Sequence, residues 1–251
     1  MSLRSLDRRV RKLERSFAIP AKTPQRNTPA WLERDTPDAL STSWRYDVLP
    51  AQKRFHRDLE TRFKGYSGPI GSGKSHALAY EALFLCHYNP GLLGLIGSPT
   101  YTMLADSTQR ALFEVLATEG IPYTFYKQDN RLKILSNGSE IIFRSLDNPE
   151  RLRGPNLAWF GVDELTYASE DAWTRLLGRL RHPEAKRLCG FAVWTPKGYD
   201  WVYRQFVEAN DPDYILVKAS PKENTHLPKD FYDRLRGRIH SIATAYCRAR
   251  L

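Results

Sequence analysis

The chain has 251 residues, 41% of them hydrophobic, which leaves room for one large domain with extensions and a sizeable core. It carries 38 Lys and Arg against 28 Asp and Glu, a formal charge of +10 that favours polyanionic partners, nucleic acid first. No run of about 18 apolar residues predicts a membrane span, and the N-terminus, charged from Arg4 onward, lacks an apolar signal segment. Cys86, Cys189 and Cys247 fit neither a disulfide framework nor a zinc pattern, so they read as buried, reduced thiols.

Within residues 1–17, Leu3, Leu6, Val10, Leu13 and Phe17 follow 3-4-3-4 spacing, predicting a basic, coiled-coil-like helix. Two heptads are too short to be stable alone, which suits docking or oligomerisation. Pro20, Pro24, Pro29 and Pro37 mark residues 18–43 as a linker. From Trp44 the pattern becomes an alternation of strands and helices. Leu49-Pro50-Ala51-Gln52 precedes a short strand at Arg62–Ser67. The Gln52 amide offers a donor and an acceptor that match an adenine edge, although by itself it reads as an ordinary surface residue.

The next eight residues are the most informative in the chain. Gly68-Pro69-Ile70-Gly71-Ser72-Gly73-Lys74-Ser75 spell a P-loop, or Walker A motif. Glycines let backbone N–H groups turn inward around phosphate oxygens. Lys74 is placed to reach the β- and γ-phosphates, and the Ser75 hydroxyl to bind Mg²⁺. A helix beginning near Lys74 and running through His76 to His87 points its positive end at the anion. Gly68, Gly71, Ser72, Gly73, Lys74, Ser75 and His76 are therefore the expected nucleotide-binding residues.

Leu92–Ser98 reads as an apolar strand, and Met103–Thr118 as a helix with Leu104, Ala111, Leu112, Val115 and Leu116 on one face. Tyr123–Tyr126, Arg131–Leu135 and Glu140–Arg144 read as strands, the last two joined through the hairpin signal Asn137-Gly138. Leu157–Val162 is an apolar strand that delivers Asp163-Glu164. Helix is expected at Asp171–Leu180, strand at Arg187–Trp194, helix at Trp201–Ala209 and strand at Tyr214–Lys218. This βαβ alternation predicts an α/β fold: a P-loop NTPase with a mostly parallel central sheet flanked by helices, plus a β-hairpin insertion. Such sheets bind ligands at the carboxyl ends of their strands, where the P-loop, Asp163-Glu164 and Thr195 all fall.

Phosphoryl transfer needs a metal, a positioned nucleophile and charge neutralisation. Asp163 suits the metal shell, as in a Walker B motif, and Glu164 the polarisation of an attacking water. Asp-Glu after a strand also serves as an ordinary helix cap, but paired with the P-loop it favours hydrolysis over mere binding. Thr195, in Trp194-Thr195-Pro196-Lys197-Gly198, is placed to sense the γ-phosphate. Arg153, in Arg151-Leu152-Arg153-Gly154, is placed to stabilise transition-state charge or, equally, to contact DNA. Arg175, Arg179, Arg181, Lys186 and Arg187 form a basic stretch that could meet phosphates or lie on a solvated face.

The P-loop, the stretch Phe143–Gly154, Asp163-Glu164 and the later Thr195-Pro196-Lys197-Gly198, in this order, resemble the ATPase domain of the large terminase subunit, the DNA-packaging motor of tailed bacteriophages. The resemblance runs from about Trp44 to Leu227, taken here as a domain spanning 44–227. It implies ATP and Mg²⁺ as cofactors, Gln52 as the adenine reader, Lys74 and Ser75 as the phosphate and metal residues, Asp163 as metal ligand and Glu164 as catalytic base. It further implies Thr195 in a coupling motif and Arg153 as an arginine reaching a neighbour's site. Double-stranded DNA, a portal protein, a small terminase subunit, a homo-oligomeric ring and the host cell cytoplasm follow from the same likeness.

Two departures are visible. Many relatives carry a basic residue inside the P-loop, whereas the interior here is Pro69, Ile70, Gly71 and Ser72, which shifts weight to Arg153. Full-length relatives carry a C-terminal nuclease, whereas no compact Asp/Glu cluster follows Ser220. A basic segment over 228–251 leading toward a nuclease that is absent, and no cleavage activity, are the expectation. A helicase-like DNA-dependent ATPase and an ATP-binding scaffold docking through its N-terminal helix are the alternatives; most such helicases need two nucleotide-binding folds, and this length holds one.

Overall fold

The computed structural model describes residues 44–228 and 230–235; the expected helix within 1–17, the linker and most of the C-terminal segment lie outside these. The described chain forms one eight-stranded sheet: β1 (Phe63–Ser67), β2 (Leu93–Ser98), β3 (Tyr123–Tyr126), β4 (Arg131–Ile134), β5 (Glu140–Ser145), β6 (Trp159–Asp163), β7 (Cys189–Trp194) and β8 (Tyr214–Lys218). Their order across the sheet is β3-β4-β5-β2-β6-β7-β1-β8. All pairings are parallel except β3–β4 and β4–β5, so the hairpin read from Asn137-Gly138 sits at the antiparallel end. Gly138 takes φ 73°, and Asn137 Oδ1 accepts from the Ser139 N–H, which closes that turn.

Helices α1 (Pro50–Arg57), α2 (Lys74–Tyr88), α3 (Arg110–Glu119) and α4 (Glu170–Leu177) cover the sheet. Helix α2 is apolar nearly all round and correspondingly buried from Ala77 to Cys86. It packs with α1 and α3 in one core layer, against Tyr66, Ile96, Trp159 and Phe191. A second layer on the opposite face joins Leu95, Ile142, Phe160 and Trp194 to Trp173, Leu176 and Phe206. Close approach explains one glycine inside a strand. A Cβ at Gly94 would lie 2.0 Å from Trp159 Cε2, so this position on β2 must be bare for the indole to lie flat.

Two helix expectations are refined, and one helix is new. The helix read over Met103–Thr118 is continuous but not uniform: a short α-turn, Tyr101–Met103, runs into a π-helical stretch, Leu104–Gln109, before α3. The wider turn re-aims one side chain, Thr108, toward Asp163. The helix at Asp171–Leu180 stops at Leu177, because Leu180 leaves it to bridge Leu157 beside the sheet. Helix α1 has no counterpart in the sequence reading, although Pro50 at its first position is a start signal.

Cys86 and Cys189 are buried and form no disulfide among the described residues; Cys247 lies outside these. Among the described residues no helix is long and apolar enough to cross a membrane.

Candidate functional site: the P-loop and its acidic strand

Strand register assembles the site. Ser67 at the end of β1 is level with Trp194 at the end of β7, and Asp163 at the end of β6 is level with Val193. The P-loop, Asp163-Glu164 and Thr195 thus emerge side by side from one edge of the sheet.

The loop is shaped by its glycines. Gly71 and Gly73 both take φ 80°, a left-handed conformation that a side chain would strain. Gly73 is the last residue before α2, so the positive end of that 15-residue helix opens into the loop. Gly68 has no space beside it, since a Cβ there would lie 2.5 Å from Ser72 Oγ. The buried Ser72 Oγ has no hydrogen-bond partner, while its carbonyl accepts from Tyr66 OH at 2.8 Å. Ser75 is half-buried and His76 exposed on the first turn of α2.

Lys74 Nζ folds back over the loop, donating to Gly68 O at 3.2 Å and Pro69 O at 3.1 Å. It stands 3.8 Å from Glu164 Oε1. Burial draws its pKa down, and the charges of Glu164 and Asp163 work against that. The ammonium therefore rests on carbonyls whose bonds an anionic oxygen could replace.

Asp163 is buried at the end of β6, and burial pushes its carboxyl up to about 6 despite the bond it accepts from Thr108 Oγ1 at 2.7 Å. Thr108 escaped the sequence reading, because nothing marks one Thr in a helical run until the π-turn aims it. Glu164 adopts φ 46° and ψ 52°, a left-handed conformation that costs a non-glycine residue of order 1 kcal/mol. The kink turns the carboxylate toward Thr195, whose N–H and Oγ1 donate to it at 3.1 and 3.3 Å.

Gln52 is buried, contrary to its bland reading as a surface residue. Its Oε1 accepts from Leu49 N–H at 2.9 Å and its Nε2 donates to Gly73 O at 2.9 Å, clasping α1 to the P-loop. One turn on, His56 Nδ1 meets Glu81 Oε2 of α2 at 2.7 Å, and Lys64 Nζ of β1 reaches Glu81 Oε1 at 2.6 Å. Lys64 also donates to Phe55 O and Asp58 O, so all three of its N–H groups are used. The charged residues inside apolar runs were the signal for this network, which the sequence reading passed over.

Arg153 is not brought into this site. It is exposed and pairs with Glu150 at 2.8 Å rather than with Glu164 or Lys74. Most of the expected phosphate-contacting stretch is also engaged elsewhere: Arg175 pairs with Asp171 and Glu150, Arg181 donates to Asn156, and Arg187 donates to Glu60 O and Thr61 O.

A parallel sheet with a P-loop on one strand and a buried acid on a neighbouring strand defines a P-loop nucleotide-binding fold. Residues 66–245 match the family model described as terminase large subunit, T4likevirus-type, N-terminal, and the chain belongs to that family. It is 29% identical over 163 residues to the PBSX phage terminase large subunit of Bacillus subtilis (strain 168), covering 64% of this chain and 37% of that protein. It is 30% identical over 155 residues to the terminase large subunit of Thermus phage G20c, covering 54% and 31%. The chain thus spans about a third of the length of these relatives. Among solved structures it superposes on the large terminase ATPase domain of Thermus phage P74-26 with a TM-score of 0.58 at 21% identity, covering 74% of this chain and 86% of that one. The large terminase of a thermophilic bacteriophage in complex with ADP gives a TM-score of 0.65 at 16% identity, covering 75% and 50%. At these identities the structural likeness shows the fold.

Proposed function

We propose that this chain is the ATP-hydrolysing motor domain that drives double-stranded viral DNA into a procapsid. The observation that carries the reading is the Glu164 carboxylate, held by Thr195 beside Lys74 and one residue beyond Asp163. Glu164 orients and deprotonates a water, and Lys74 releases its loop carbonyls to neutralise phosphate oxygens. Thr195, bonded to the base, reports loss of the γ-phosphate to β7. Gln52 positions the P-loop and faces the adenine, while Gly68, Gly71, Ser72, Gly73, Ser75 and His76 line the phosphate cradle.

The residues present fit Mg²⁺. Among the described residues no group of three His, Cys, Asp or Glu could hold a metal unaided. A single buried carboxylate that burial holds above the usual carboxylate range suits an ion held jointly with nucleotide phosphates. Ser75 and Asp163 are the residues that would hold it, and when bound it neutralises phosphate charge.

Arg153, exposed and away from its own P-loop, acts on a neighbouring subunit in a homo-oligomeric ring. A portal protein, a small terminase subunit and the host cell cytoplasm complete the proposed setting. Domain limits of 44–227 for the motor and 228–251 for a basic segment are part of the same proposal.

The test is ATP hydrolysis per chain across protein concentration. Activity that rises with concentration and is lost in Arg153→Ala supports the ring with its arginine in trans. Concentration-independent activity removes Arg153 from that role, and hydrolysis undiminished in Glu164→Ala removes the motor reading.

A further inference from the structure

The basic stretch that the sequence offered for DNA is largely engaged in internal bonds, but four other arginines converge. A cleft of about 220 Å³ lies on the face of the sheet opposite α2. Its floor is apolar, formed by Leu93 and Leu95 of β2 and Ile142 of β5. Arg131, Arg144, Arg151 and Arg153 rim it, drawn from two strands and from the segment that follows β5.

The rim is under-neutralised. Among the described residues Glu140 is the one carboxylate lining the cleft, and it meets Arg131 at 3.3 Å. Glu150, outside the lining, pairs with Arg153. Arg131 Nε is buried without a hydrogen-bond partner. Arg144 donates to the carbonyls of Phe143 and Asp129, not to an acid. Burial, and then the charge of Arg131 beside it, hold the Arg144 guanidinium below its ordinary value. Like charges gathered at a partly desolvated rim await an anion.

The lining also says which anion. Small-molecule sites run to about 300–1,000 Å³, so this cleft admits only one small unit of a larger ligand. Among the described residues no Asn, Gln, Ser or Thr lines it, so the usual uncharged readers of base edges are not among them. Guanidinium forks suit phosphate oxygens, and an apolar floor suits the C–H face of a sugar. We infer that this cleft seats one sugar–phosphate unit of a nucleic-acid backbone, gripping it without regard to sequence. The inference rests on the proposed role in moving DNA and assigns the grip to Arg131, Arg144 and Arg151, with Arg153, paired with Glu150, kept for the neighbouring subunit.

The test uses the full chain and a short labelled duplex, with binding followed by anisotropy at several salt concentrations and no nucleotide. The double variant Arg131→Gln/Arg144→Gln should weaken binding at least about tenfold for every duplex sequence and reduce the log–log salt slope by about 1 to 2. Glu140→Gln should tighten binding, an outcome that misfolding cannot mimic. Basal ATP hydrolysis should be unchanged in all of them. Unchanged affinity and slope in the double variant, or no tightening in Glu140→Gln, overturns the inference. So does displacement of the duplex by poly-glutamate at equal charge concentration, which would make the cleft a site for acidic protein. A chain that binds duplex through these residues yet hydrolyses no ATP keeps the cleft and loses the motor.

Discussion

Thr195 holds Glu164 by two bonds at once, its N–H on Oε2 and its hydroxyl on Oε1, across the gap between the ends of β6 and β7. The residue proposed as base is therefore fixed by the strand proposed to transmit its action. Thr195→Val keeps the backbone donor and loses the hydroxyl. We expect kcat to fall about tenfold with ADP affinity nearly unchanged, and Glu164→Gln to lower kcat at least about 10²-fold with binding retained. Steady-state hydrolysis beside ADP titration distinguishes these from a loss of binding.

Gln52→Ala removes both ends of the clasp between α1 and the P-loop, at about 1 kcal/mol per lost bond. We expect a lower unfolding free energy and a raised KM for ATP. Gln52→Glu keeps the acceptor for Leu49 N–H and loses the donor to Gly73 O. If it matches Gln52→Ala in KM while keeping the preference for ATP over GTP, the clasp is what matters; a collapse of that preference assigns adenine reading to Gln52.

His56 gives a pH dependence. Burial holds its imidazole below the ordinary value, outweighing Glu81, so the folded chain keeps it neutral. The unfolded chain takes up a proton near pH 6.5. Stability from this group is complete above that pH and is lost as pH falls below it, by up to about 1.4 kcal/mol per unit. Urea unfolding between pH 7.5 and 5.5, at roughly half-unit steps, should show that slope in the native chain and a shallower one in His56→Gln. Equal slopes would place the proton uptake elsewhere.

Gly94→Ala should destabilise by about 3 kcal/mol, because the new methyl would fall 2.0 Å from the Trp159 indole. Trp159→Phe should recover part of the loss in the double variant. Purely additive losses in thermal unfolding would mean that the two residues do not share that space.

Local patterns determined much of this protein. The Gly spacing around Lys74 and the apolar run into Asp163-Glu164 marked the loop and acidic strand, and the alternation of strand and helix marked the parallel sheet. These features are readable because each depends on residues adjacent in sequence: a left-handed φ, a strand period, a helix start. What only the tertiary structure decided depends on residues far apart. Thr108 became a partner of Asp163 through a π-turn and packing across 55 positions. Gln52 became a buried clasp because α1 lies against Gly73. Of the arginines that sequence clustering favoured, Arg175, Arg181 and Arg187 were engaged by carboxylates, Asn156 and backbone carbonyls, while Arg131, Arg144, Arg151 and Arg153 were gathered by strand pairing and a loop. Charge along a chain shows how much attraction is present; only the fold decides which charges remain free to act.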